Sequence, residues 1–435
     1  MHVNRVSRAR RRGAAALAAS ALLGGAAVAT GPAANAATPE APAAAAADCS
    51  DAYKIEQTLS GGTTWRMCWS YEREAGLVLN KVSYQPKGEN APIKVLTTGK
   101  LGQIHVPYDD GQNEYDDLTS FGFGMGLQGL KAAECPGGTI KTVKLPDGGG
   151  NVKGLCTTTR ARGHAYRMAG DAAGQVWQAQ GKDLLVYTVN QVGWYEYMTE
   201  WRFSDDGTVN ANVGATGSLS YGDYDAGDGR GWPIGKGAKD YATSHSHNVF
   251  WRLNFGLDGK PSKVEQYDSK LTAPSGGGTP KIKTTRTKVT KELAGDVKTY
   301  RWWRMVSATG KNKDNHARSY EIVPGPSTKY PGRGYTKHDV YFTEYNKCEQ
   351  FASNNLRSCG AGAGKSVDKW VNGQTLTRPV TWVNIGFHHI ARDEDQQPMP
   401  VHWQGFQMVP RDVTAMNPLT PDALKNQNGN YMSGR

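Results

Sequence analysis

Helical signal is nearly absent from this 435-residue chain. No stretch sustains apolar residues at spacings of three and four, and no internal period recurs, which excludes a helical bundle or a solenoid. Beyond an alanine-rich opening there is no run of about 18 apolar residues, so no membrane-spanning helix is expected after it. Cysteine is sparse, six in all, and none is spaced Cys-X-X-Cys, which removes the usual cysteine-metal patterns. Neither sign of charge dominates. Lys and Arg number 51 against 40 Asp and Glu, a formal charge of +11, and five of the arginines fall within residues 1–36, leaving about +6 for the remainder. The densest basic run, Lys281 to Arg304, alternates with β-branched residues and reads as a solvated strand face, so no nucleic-acid partner is expected.

What the chain does contain is punctuated β texture. Runs such as LLVYTV (184–189), HNVFWRLNF (247–255), KTYRWWRMV (298–306) and DVYFTEY (339–345) are aromatic and β-branched. Gly/Pro/Asn/Asp clusters such as PDGGGN (146–151), APSGGGTPK (273–281) and PGPSTKYPGRG (324–334) separate them. The pattern predicts an all-β fold, a large antiparallel β-sandwich. Residues 1–36 read as a signal peptide: Arg5, Arg8 and Arg10 to Arg12, an Ala/Leu stretch, then Ala34-Asn35-Ala36 as a cleavage site. An Ala/Pro-rich lead-in (37–52), one catalytic-type domain (53–415) and a tail (416–435) come after it. Export fits the even cysteine count, whose spacing suggests the local bridges Cys49–Cys68, Cys135–Cys156 and Cys348–Cys359.

The chemistry is concentrated in histidine. His245 and His247 flank Ser246, and in a strand residues i and i+2 project from one face, so both rings reach one ion. A third imidazole from His388-His389, far along the chain, completes a set suited to Cu(II) or Zn(II); the Irving–Williams order favours copper.

These residues have informative company. VGWYEYMTEWRFSDDGTVNANVGATGSLS (192–220), HSHNVFWRLNFGLDG (245–259) and GFHHIARDEDQQPMPVHWQGFQMVP (386–410) resemble, in order, the cofactor hairpin, copper strand and third-ligand segment of copper-containing, topaquinone-dependent primary amine oxidases. WRMCWSYEREAGLVLNKVSY (65–84) and HVPYDDGQNEYDD (105–117) resemble the opening strands of that family's catalytic domain. The likeness runs from about residue 53 to 415, so the family's smaller N-terminal domains are expected to be missing.

The resemblance implies a set of roles. His245, His247 and His389 would hold Cu(II), with His388 on the far side of its strand and Met399 near the metal. Tyr195 would be the topaquinone precursor, flanked by Trp194 and Glu196. Asp117 would be the base that removes the substrate's α-proton, a role suited to a buried carboxylate of raised pKa. Tyr115 would gate the channel and Tyr108 would contact a quinone oxygen. Tyr115-Asp116-Asp117 is similar to the family's Tyr-X-Asp, yet counting back from Gly124-Met125-Gly126 without gaps reaches Thr119, so Asp116 stays open as the base. The family also carries a disulfide after this segment, matching Cys135–Cys156, and is homodimeric through exchanged hairpin arms.

Two departures matter. The family has asparagine before the modified tyrosine, whereas this chain has Trp194, much larger and with a single donor. At the family's peripheral calcium positions stand Asn254 and Gly256, which lose hard oxygen ligands, so no Ca²⁺ is expected there. The implied function is a secreted oxidase converting a small primary amine and O₂ to aldehyde, ammonia and H₂O₂. Two other readings stay open: a copper-binding protein on this scaffold without quinone, and a copper oxidase using a different Tyr/Trp-derived centre.

Overall fold

A computed structural model describes residues 49–170, 173–220, 224–226, 230–237, 240–274, 278–298, 300–360 and 365–425. The expected signal peptide, residues 37–48 of the lead-in and the last ten residues of the expected tail lie outside the described residues. The packed unit reaches past both expected boundaries. Cys49 is bonded to Cys68 ahead of residue 53, and Leu419 lies against Gly61 beyond residue 415.

Two large antiparallel sheets, nine- and ten-stranded among the described residues, form the sandwich. In the first, the Ile93–Pro107, His245–Phe255 and Pro379–His389 strands lie side by side in that order, followed by Val340–Glu344. In the second, Met399–Arg411, Val209–Gly217, Tyr195–Ser204 and Val176–Val192 are consecutive neighbours. Alternation along Tyr195–Ser204 sends Tyr195, Tyr197, Thr199, Trp201 and Phe203 inward, all buried. Large rings from the two inner faces interlock: Trp201 meets Trp251 edge-on at 4.9 Å between centroids, and Trp65 meets Phe203 at 5.0 Å.

Where strands fall differently from expectation, local geometry is the cause. KTYRWWRMV does not begin a strand at residue 298, because Tyr300 adopts φ 62° and Arg301 N–H closes a turn onto Lys298 O at 2.9 Å. Extended structure starts only at Trp302. The basic Lys281–Val289 strand is exposed along both faces rather than one, since it is the edge strand of the ten-stranded sheet, paired with Lys263–Thr272 alone. The three expected disulfides are present. Helices are short: Asp117–Phe121 and Val367–Trp370 are the α-helical turns among the described residues.

Candidate metal centre and catalytic cavity

Register brings the histidines together. His245 is directly opposite His389, and His247 opposite Phe387, so all four side chains share the inner face of the first sheet. His388 pairs with Ser246 on the other face and its Nε2 lies 2.9 Å from Asp109 Oδ2. From the facing sheet Tyr195 inserts its hydroxyl between the rings, 2.8 Å from His245 Nε2, 3.0 Å from His389 Nδ1 and 3.9 Å from Met399 Sδ.

Protonation of the imidazoles decides what the cluster can do. Burial holds His245 well below the usual imidazole range, holds His247 down to about 3 and lowers His389, so all three rings are neutral. In the tautomers that direct each N–H away from the centre, every N–H meets an acceptor. His389 Nε2–H donates to Asp395 Oδ2 at 2.9 Å, while the Nδ1 atoms of His247 and His245 face Tyr197 Oη at 3.4 Å and Thr243 O at 3.5 Å. Three lone pairs therefore converge, and the single hydroxyl proton of Tyr195 satisfies only one. His245 Nε2 and His247 Nε2 are 3.1 Å apart. Two imidazole nitrogens bound at about 2.0–2.1 Å to one ion sit roughly 3 Å apart. The donor set, His245, His247 and His389, thus fits a borderline metal such as Cu(II).

Asp395 escaped the sequence reading. It is one of three acids in Asp393-Glu394-Asp395, and only the fold shows which one turns inward. Its Oδ2 also accepts from Arg392 N–H at 3.0 Å, and its Oδ1 is 3.6 Å from His402 Nε2. A buried carboxylate on the outer nitrogen of a ligand histidine fixes ring and tautomer. Tyr197, likewise unanticipated, lies between His247 and Asp117, donating to the carboxyl of Asp117.

Beside this centre is a cavity of about 210 Å³ walled by Val106, Tyr108, Tyr115, Phe121, Trp194 and the rings of Tyr195 and Tyr197. Among the described residues, Asp117 is the one acid lining it. Its position is set by the chain around it: Gln103 Oε1 accepts from Leu118 N–H and Ile104 N–H, both at 3.0 Å, tying the start of the short helix to the neighbouring strand. Burial pushes the Asp117 carboxyl up to about 7, and the neighbouring Asp116 adds to the rise. Asp116 points elsewhere, with Oδ1 3.0 Å from His105 Nδ1 and 3.4 Å from Tyr335 Oη. The structure thereby separates the two aspartates that spacing left open. Thr119, the gapless alternative, accepts from Gln103 Nε2 at 3.0 Å.

Trp194 reaches the cavity because of a turn. Val192 pairs with Tyr195, leaving Gly193-Trp194 as a two-residue hairpin loop with Gly193 at φ 58°. Gly217 backs the same turn: a Cβ there would sit 2.4 Å from Trp194 O. Trp194 Nε1–H donates to Tyr108 Oη at 3.2 Å, and the Tyr108 ring stacks on His245 at 4.8 Å. Glu196 alternates to the outer face and does not line the cavity, whereas Tyr108, Tyr115, Asp117, Trp194 and Tyr195 do. Asn254 accepts from Arg252 Nη1 at 2.8 Å.

A three-imidazole metal centre between the sheets of a β-sandwich, opening on an apolar cavity with one acid, defines a class of metalloprotein. Comparison with known families narrows it: residues 63–428 match the family described as copper amine oxidase, enzyme domain, and the chain belongs to that family. It is 24% identical over 413 residues to the peroxisomal copper-containing amine oxidase alpha 2 of Arabidopsis thaliana, covering 84% of this chain and 60% of that protein. It is 24% identical over 384 residues to the primary amine oxidase of Arthrobacter sp. (strain P1), covering 81% and 58%. Among solved structures, a copper-containing benzylamine oxidase from Hansenula polymorpha shares the fold with a TM-score of 0.71 at 21% identity, over 84% of this chain and 62% of that one. The chain thus spans about three fifths of the length of these relatives.

Proposed function

We propose that this chain is a secreted copper-dependent primary-amine oxidase whose organic cofactor is topaquinone made from Tyr195. The overall reaction is RCH₂NH₂ + O₂ + H₂O → RCHO + NH₃ + H₂O₂. The observation that carries the reading is that Tyr195 Oη touches the convergent imidazoles while its ring walls the same cavity as Asp117. Copper at His245, His247 and His389 would supply the redox chemistry that converts Tyr195 to a quinone, whose carbonyl is the electrophile toward an amine.

The chain's own residues account for the rest. Asp117 takes the proton from the carbon next to the amine nitrogen, and burial gives its carboxylate enough basicity to hold that proton near neutral pH. Tyr197 orients the acceptor by donating to it. Trp194, standing where the family has asparagine, donates to Tyr108 and so keeps both rings against the wall of the cavity. The apolar lining excludes water from the site of proton transfer.

Dimerisation and export belong to the same proposal. The distal part of the Asn151–Ala169/Val176–Val192 hairpin and the Lys263–Thr272/Lys281–Val289 hairpin are solvent-exposed in the single chain, which suits arms that clasp a second copy. The decisive experiment is phenylhydrazine titration of copper-loaded, aerobically incubated protein, followed by peptide mass at Tyr195. A coloured adduct of about one equivalent on the Tyr195 peptide is expected. An unmodified Tyr195 in fully loaded protein overturns the reading in favour of a copper-binding protein or a differently built oxidase.

A further inference from the structure

The cavity's walls carry information about the amine itself, provided that the site is the amine-oxidising one proposed above. Tyr115 is the hub of an aromatic enclosure: its ring lies edge-on to Tyr108 at 5.9 Å and to Trp194 at 6.2 Å, and tilted against Phe121 at 5.8 Å. Phe121 is 52% exposed while lining the cavity, so it marks the mouth. An amine with its reacting carbon between Asp117 and Tyr195 must therefore run its tail past Tyr115 and Trp194 and out by Phe121.

Among the described residues, four acids close to that path in sequence are directed elsewhere. Asp116 faces His105, Glu114 pairs with Arg333, Asp109 faces His388 and Glu196 is on the outer face of its strand. Asp117 is thus the one acid among the described lining residues, and it is committed to the reacting end. A second ammonium four carbons away would be desolvated among rings. Ring faces attract a cation, but the return is smaller than the cost of removing an ammonium from water without a carboxylate partner. An aryl group on the same path loses apolar surface to the same rings and gains from it.

We infer that this site selects monoamines with an apolar, preferably aryl, tail and discriminates against diamines, with Trp194 as the specificity-determining wall. The indole is fixed by its bond to Tyr108, so it presents a rigid surface to the tail. The family's smaller, polar asparagine at this position would remove that surface.

The test separates binding from turnover. Calorimetry on the full chain before copper loading, where no oxidation competes, should show 2-phenylethylamine binding at least tenfold more tightly than 1,4-diaminobutane. In copper-loaded protein, kcat/KM from peroxide release should favour 2-phenylethylamine over 1,4-diaminobutane by a similar factor. Trp194→Asn should reduce the ratio of kcat/KM for 2-phenylethylamine over methylamine at least fivefold, whereas Trp403→Ala, on an exposed indole, should leave it unchanged. Equal or tighter binding of the diamine, absence of amine binding, or an unchanged ratio in Trp194→Asn overturns the inference. Selective binding with no peroxide from any amine removes the oxidase reading and supports the selectivity; peroxide from amines without aryl preference does the reverse.

Discussion

Replacing Asp117 by asparagine removes one ionisation while keeping the side chain's shape and an oxygen able to accept from Tyr197. Burial raises this carboxyl from 3.8 to about 7. Below about pH 4 the group is protonated in folded and unfolded chains alike, and its contribution to stability is fully present. Between about pH 4 and 7 the unfolded chain has released this proton and the folded one has not, so stability falls by about 1.4 kcal/mol per pH unit. Above about pH 7 the loss levels off at about 4 kcal/mol. The Asp117→Asn variant would carry no such term. Urea unfolding of both metal-free proteins from about pH 4 to 8.5 should yield a difference curve that rises through the window in favour of Asp117→Asn and is flat beyond its two ends. In the same variant kcat/KM should drop at least 10³-fold, and in the parent it should fall with unit slope as pH decreases below about 7. A difference curve flat across the whole range would mean that Asp117 is ionised throughout, and would refute the argument that burial prepares it to take a proton.

Two further perturbations probe the rest of the site and its support. Asp395→Asn should weaken copper binding about 10- to 100-fold, because His389 loses the carboxylate that fixes its outer N–H; competition against a calibrated chelator measures it, and unchanged affinity would remove Asp395 from the centre. Trp201→Ala, which empties a fully buried position against Trp251 and Phe203, should cost about 3–5 kcal/mol of unfolding free energy with the copper stoichiometry of the surviving folded protein retained. Denaturant titration together with metal analysis of the folded fraction checks both halves.

Much of this molecule is written locally. A two-residue period places His245 and His247 on one face whatever the sheet around them, and the same alternation buries Tyr195 and Tyr197 together. Short separations make the three disulfides readable, since 11 to 21 residues bring each pair together within a hairpin or a loop. The limits of local reading are equally physical. Asp116 and Asp117 differ by one position, and the direction of each depends on Gln103, His105 and Tyr335, distant partners that no spacing reveals. Asp395 is hidden among three adjacent acids because its role is defined by a ring six residues away that reaches it only after a turn. Glu196 sits beside the key tyrosine in sequence and on the other face of the sheet in space. Alternation and turn chemistry decide which residues share a face; tertiary register alone sets His389 against His245 and brings Tyr195 between them, because pairing across strands depends on contacts far apart along the chain.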